Sequence, residues 1–183
     1  MTGIKVCIVT IIFTAIYLIL SVFLSNLLFF HKSNGCLIKV NDKIVGSRLL
    51  GQEFKNPKYF NLRPSLNSYK NNISGCSNFP YYSNELKAHT EKQYTTFKNL
   101  NHGAEPDLNL ISESASGLDP HITYSGAISQ VNRVSKASGI NNNEIIKIIK
   151  RHSKPRIFGL FGEKIINILE LNLELSKIYA QKT

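Results

Sequence analysis

From Val6 to Phe30 the chain carries no charged side chain. That run constrains the fold more than any other feature, because about 20 apolar residues in helical form cross a hydrocarbon core. Lys5 stands before it, and His31 and Lys32 follow. A cleaved signal peptide has a shorter apolar region, about 7–15 residues, ending in small residues. Here the run ends Leu28-Phe29-Phe30-His31, so a retained anchor over residues 1–32 is expected. Ser21, Ser25 and Asn26 are polar positions near its outer end. They suit either hydrogen bonds to a neighbouring helix or a place at the headgroups. Flank charge orients the chain weakly: the amino terminus and Lys5 on one side, Lys32 and Lys39 on the other, leaning slightly towards a cytoplasmic domain.

What remains, residues 33–183, is one domain's worth of chain. Across the whole chain 43% of residues are apolar, so the bulk is not disordered by composition and there is enough to build a core. The net charge is +10 and the basic residues are scattered, with Lys147, Lys150, Arg151, Lys154 and Arg156 the densest group. No nucleic-acid-binding motif accompanies them, and they read as a solvated helix end. Cys7 lies in the apolar run. Cys36 and Cys76 have no Cys-x-x-Cys spacing and no histidine nearby at ligand spacing, which argues against zinc; two free thiols are expected, with pairing open in an oxidising space.

The pattern predicts an α+β layout, a single transmembrane helix followed by one mixed domain. Leu37–Val40 and Lys43–Val45 flank Asn41-Asp42 as a hairpin. Residues 47–54 should continue extended, and residues 56–78, rich in Asn, Ser, Gly and Pro, should form a long ordered loop. Further expectations are a polar helix over 84–100, a half-buried strand over 107–113 and a small-residue turn over 114–120. A helix over 124–138 should stop at Gly139. The next should start at Asn141, with Glu144 completing a capping box. The last should cover 163–180 with Ile168, Leu171, Leu175 and Ile178 inward.

Catalytic signatures are sparse. Gly46-Ser-Arg-Leu-Leu-Gly51 matches half of a phosphate-binding loop, but Gln52-Glu53 stands where Lys-Ser/Thr is needed, so a strand and turn are expected. There is no Asp-Lys-Thr-Gly-Thr segment of a phosphorylated ATPase. Ser114, Ser116, Asp119 and His121 stand close in sequence, yet Pro120 favours a rigid turn, with Asp119 bonding backbone amides. Arg63 or Arg133 could pair with Asp119 or Glu113. The residues alone point to an anchored, non-catalytic module. A binding module or hydrolase of the cell envelope is the alternative.

Six segments in order resemble one family: Gly46–Phe54 (GSRLLGQEF), Tyr59–Ser65 (YFNLRPS), Ser74–Asn78 (SGCSN), Ser114–Ile122 (SASGLDPHI), Gln130–Val134 (QVNRV) and Asn167–Leu173 (NILELNL). Together they resemble the C subunit of the Kdp-type potassium-transporting ATPase. The resemblance implies an accessory subunit of an ATP-driven potassium pump in the bacterial inner membrane. Its partners would be a channel-like A subunit, a P-type B subunit that hydrolyses ATP, and a small F subunit. The domain would lie outside, capping the A subunit, against the weak charge bias. Partner-contact candidates are Arg63, Ser65, Ser74, Gly75, Ser77, Asn78, Ser116, Gly117, Asp119 and His121. Nucleotide contact, attributed to the family, would fall on Gln52, Ser74 and Gly75, although ATP is cytoplasmic; no cofactor is expected to be held firmly. Cys76 departs from the family's Ser-Gly-Gly-Ser, and would cost stability if positive φ were needed there.

Overall fold

The computed structural model describes residues 2–182; Met1 and Thr183, the ends of the expected anchor and domain, lie outside it. Backbone contacts divide the chain into two units, one ending at Ser47 and the other beginning at Arg48.

In the first unit, α1 (Thr2–Ser33) has no buried residue, and among the described helices it is the one long and apolar enough to cross a membrane. Its polar side chains bond its own backbone: Thr10, Thr14 and Ser21 hydroxyls donate to the carbonyls of Val6, Thr10 and Tyr17 at 2.7–2.8 Å, and Asn26 Nδ2 to that of Val22 at 3.0 Å. Phe29 leaves helical geometry (φ −133°, ψ 42°). Beyond it, Ser33 and Asn34 both donate to Asn26 Oδ1. β1 (Leu37–Val40) and β2 (Lys43–Ser47) pair antiparallel, with an irregular register between Ile38 and Lys39. Asn41 and Asp42 take φ of 50° and 60°, the two left-handed residues that a two-residue hairpin turn asks for.

Among the described residues the second unit holds a small sheet and five α-helices. β2 ends at Ser47, so residues 48–50 turn rather than extend as expected. Residues 51–83 contain no helix or strand. α2 (Asn84–Leu100) starts where Ser83 Oγ accepts from the Leu86 amide. The expected strand at 107–113 is instead a 3₁₀ turn, Leu108–Leu110, because Asp107 caps it by accepting from the Asn109 amide. β3 (His121–Thr123) leads into α3 (Tyr124–Ile128), capped by Thr123 Oγ1. α4 (Val131–Ser138) is separate, so the single helix expected over 124–138 is two, broken at Ser129-Gln130. Gly139 (φ 70°) closes it. α5 (Asn142–His152) begins at the Asn141 cap, and β4 (Ser153–Lys154) precedes Pro155. β5 (Ile165–Asn167) occupies what reads as the start of the last helix; α6 (Ile168–Lys182) begins five residues later than expected.

The sheet order is β3-β5-β4, all antiparallel, with Ile122 opposite Ile166. Its apolar face and the stripes of α4, α5 and α6 form one core: Ile122, Val134, Ile145, Ile148, Ile149, Ile166, Ile168, Leu171 and Leu175 are all buried, and Phe60, Phe97 and Leu110 join them. Each such side chain contributes about 1.5–3 kcal/mol relative to exposure. Ile178 is partly buried at the rim.

Buried polar groups fasten the long loop to this core. Asn172 accepts from the Phe60 amide (2.9 Å) and donates to the Phe60 carbonyl (3.0 Å). Gln130 does the same for Asn61, at 2.8 and 3.1 Å. Arg133, only 3% exposed, donates to the carbonyls of Pro57 and Tyr59 and to Asn61, Gln130 and Asn101 side chains, all at 2.7–2.9 Å. Those five bonds use all five guanidinium N–H groups. Burial pulls its pKa down to about 10, so it is still charged at neutral pH. Arg133 therefore serves the loop and not Asp119 or Glu113, correcting that part of the expectation.

Candidate functional site

Three segments far apart in sequence meet on one side of the second unit: Arg63–Ser65, Ser74–Asn78 and Glu113–His121. Small residues make the meeting possible. The Gly75 amide donates to the Ser116 carbonyl at 3.0 Å, Ser65 Oγ to the Gly117 carbonyl at 2.7 Å, and the Ser114 amide to the Pro64 carbonyl at 3.1 Å. Gly117 has φ +69°, and a Cβ there would stand 3.0 Å from the Gly75 carbonyl oxygen and 3.3 Å from Ser65 Oγ. Gly51 is equally confined. Its amide donates to the Leu118 carbonyl at 2.7 Å, and a Cβ would fall 2.9 Å from the Asp119 carbonyl oxygen. Both positions admit glycine because backbone lies against backbone.

Charged groups brace the same turn. Arg63 Nη2 donates to the Glu113 carbonyl at 2.9 Å and Nη1 lies 3.4 Å from Asp119 Oδ2. Asp119 Oδ1 accepts from the His121 amide at 3.0 Å and faces His121 Nδ1 at 3.5 Å. Burial pushes the Asp119 carboxyl up, but the His121 ring and amide, then the His121 and Arg63 charges, bring it below its ordinary value. Glu113, with a side chain only 9% exposed, accepts from the Ser77 amide at 2.9 Å and faces His89 at 3.3 Å. Glu113 and His89 were missed as site residues in the sequence. Their partners are tens of positions away, and no local pattern marks them.

The hydroxyls are occupied in the turn itself. Ser116 Oγ accepts from the Leu118 amide (3.1 Å), Ser114 Oγ from the Asp119 amide (3.3 Å), and the two oxygens are 3.3 Å apart. His121 faces Asp119 rather than either serine. Ser74 Oγ donates to the Ser116 carbonyl at 3.2 Å. Asn78, with φ 52°, exchanges hydrogen bonds with Cys76 inside its own turn. Positive φ falls on Gly75 and not on Cys76, so the cysteine is accommodated without the strain its position suggests. All three cysteines are unpaired.

An open cleft of about 590 Å³ lies over this surface, lined by Leu49, Arg63, Ser74, Ser116 and Asp119 among others. Of the three nucleotide candidates, Ser74 is among its lining residues. Among the described residues, no group of three or more His, Cys, Asp or Glu side chains is placed to hold a metal ion.

The family model described as K+-transporting ATPase, c chain (KdpC) matches residues 1–177. The chain belongs to the KdpC family. Its curated relatives bear the name potassium-transporting ATPase KdpC subunit. One from Caldanaerobacter subterraneus is 38% identical over 155 residues, covering 83% of this chain and 80% of that one. Those from Koribacter versatilis (34%, 91% and 87% covered) and Sorangium cellulosum (38%, 87% and 86% covered) extend the likeness over nearly the full length. The KdpC segments named above now have physical roles. Tyr59–Ser65, Gln130–Val134 and Asn167–Leu173 carry the buried polar fastening of the loop. Ser74–Asn78 and Ser114–Ile122 form the surface that this fastening holds in place.

Proposed function

We propose that this chain is the non-catalytic accessory subunit of a potassium-transporting ATPase. It would be retained in the membrane by α1, with its domain on the outer side and the surface at 63–78 and 113–121 seated on the channel-like A subunit. The observation that carries this reading is how the surface is built. Its serines and its Asp119–Arg63 pair are bonded within the fold, leaving a rigid backbone relief at the mouth of a shallow cleft. Such a relief suits shape recognition by a protein and offers no activated nucleophile. ATP would be bound and hydrolysed by the B subunit, with the small F subunit a further membrane partner. The +10 charge of the chain opposes long-range attraction of potassium, which favours assembly and capping over concentration of the ion.

The test is purification of the pump in mild detergent with and without this chain, reading subunit recovery and potassium-stimulated ATP hydrolysis. Loss of assembly or of potassium stimulation is expected. An intact, fully active complex lacking the chain overturns the proposal. Protease protection in intact cells against spheroplasts fixes the side: cleavage confined to the cytoplasmic face overturns the outer placement.

A further inference from the structure

Between β4 and β5 the chain makes a tight turn, Pro155-Arg-Ile-Phe-Gly-Leu-Phe-Gly-Glu-Lys164. Ile157 and Phe161 pair across it through two backbone hydrogen bonds, at 2.9 and 3.0 Å. Its four large apolar side chains face solvent: Ile157 is 67% exposed, Phe158 90%, Leu160 75% and Phe161 67%. A contiguous apolar cluster of this kind on a soluble surface marks a contact with something else.

Two further observations say what that is. The first is charge. From Lys147 to Lys164 there are six Lys or Arg and one acidic residue, and Lys154, Arg156 and Lys164 flank the turn, all exposed. An apolar tip with a basic collar complements an anionic lipid surface, with apolar groups below the headgroups and cations at the phosphates. The second is a cleft of about 670 Å³ behind the tip, which includes Gly159 of the turn. Arg156 and Lys164 line it together with Asp107 and Glu163. Cations for a phosphate and carboxylates for an amine thus stand in one cavity beside the apolar turn. The domain is also tethered to a membrane-spanning helix, which keeps a bilayer surface at high effective concentration.

We propose that the 155–164 turn dips into the headgroup–acyl boundary of a phospholipid bilayer, with its collar on lipid phosphates and the cleft taking one headgroup. The turn is then a second, reversible membrane contact that restrains the domain relative to the bilayer plane. It needs only the anchor and is independent of the pump reading.

The chain contains no tryptophan, so Phe158→Trp introduces a single indole at the tip. The full chain carrying it is placed in nanodiscs of phosphatidylglycerol or phosphatidylcholine, with an unchanged circular dichroism spectrum confirming its fold. Blue-shifted emission, quenched about two-fold or more by lipids brominated on the acyl chains, is expected in phosphatidylglycerol. Adding Arg156→Gln and Lys164→Gln should reduce the inserted-to-free ratio about five-fold for each cation removed. Emission that stays aqueous and is quenched by iodide but not by brominated lipid overturns the proposal. So does protection that appears only when partner subunits are added, which would make the turn a protein interface.

Discussion

Replacing Arg133 by Met keeps most of the side-chain volume and removes five donors. The cost follows from what is left behind. Gln130 Oε1 still receives the Asn61 amide. Asn101 Oδ1 loses a fully buried partner, and an orphaned buried acceptor costs about 1–3 kcal/mol. The Pro57 and Tyr59 carbonyls and Asn61 Oδ1 are only partly buried, so water recovers some of each loss. Together these give roughly 3–5 kcal/mol, a large share of the ~5–15 kcal/mol that holds a domain together. For a domain of this size that is about 10–20 °C in Tm. Swapping a buried ion pair for apolar groups can be neutral, but only when both partners go. Here the acceptors are backbone and amide oxygens that remain. The assay is near-ultraviolet circular dichroism of the full chain in detergent, following tyrosine signals of the second unit so that α1 does not mask the transition. Arg133→Lys should recover part of the loss, since an ammonium offers three donors. A fall in Tm of less than about 3 °C for Arg133→Met would refute the claim that this guanidinium fastens the loop.

Gly117→Ala should destabilise by about 1–3 kcal/mol, from left-handed strain and the Gly75 carbonyl oxygen 3.0 Å away, and should speed amide exchange at Gly75. Leu171→Ala, in the middle of the core, should cost about 2–5 kcal/mol by urea denaturation. Asp119 has a lowered carboxyl pKa in the folded state, so its stabilisation is complete above the ordinary value of about 3.9 and fades as pH falls through the folded one. The difference in urea midpoint between the native chain and Asp119→Asn should hold from neutrality to about pH 4 and narrow below it.

Much of the fold was legible where local chemistry decides it. Asn41-Asp42 announces its hairpin, and Ser83 and Asn101 bound α2 where the pattern places it. The misses share a cause: a short segment whose structure is set by a distant partner. Residues 107–113 alternate like a strand, but no neighbouring strand receives them and Asp107 caps a turn instead. Residues 165–167 resemble the head of an amphipathic helix, yet Ile166 pairs with Ile122. A usable signal was present, because Asn167 Oδ1 accepts from the Glu170 amide, and Asn-x-x-Glu marks a helix start. The turn at 114–120 was legible from its small residues, and so was the Arg63–Asp119 pair. The grip of Glu113 on Ser77 was not, since it joins residues 36 positions apart.

The anchor has a consequence for how such a chain is made. Thr10, Thr14, Ser21 and Asn26 each bond a carbonyl one turn back, so α1 enters lipid with those groups already satisfied. Those four side chains therefore need no neighbouring helix as a hydrogen-bond acceptor. Their hydrogen bonding is met within the helix as soon as it forms.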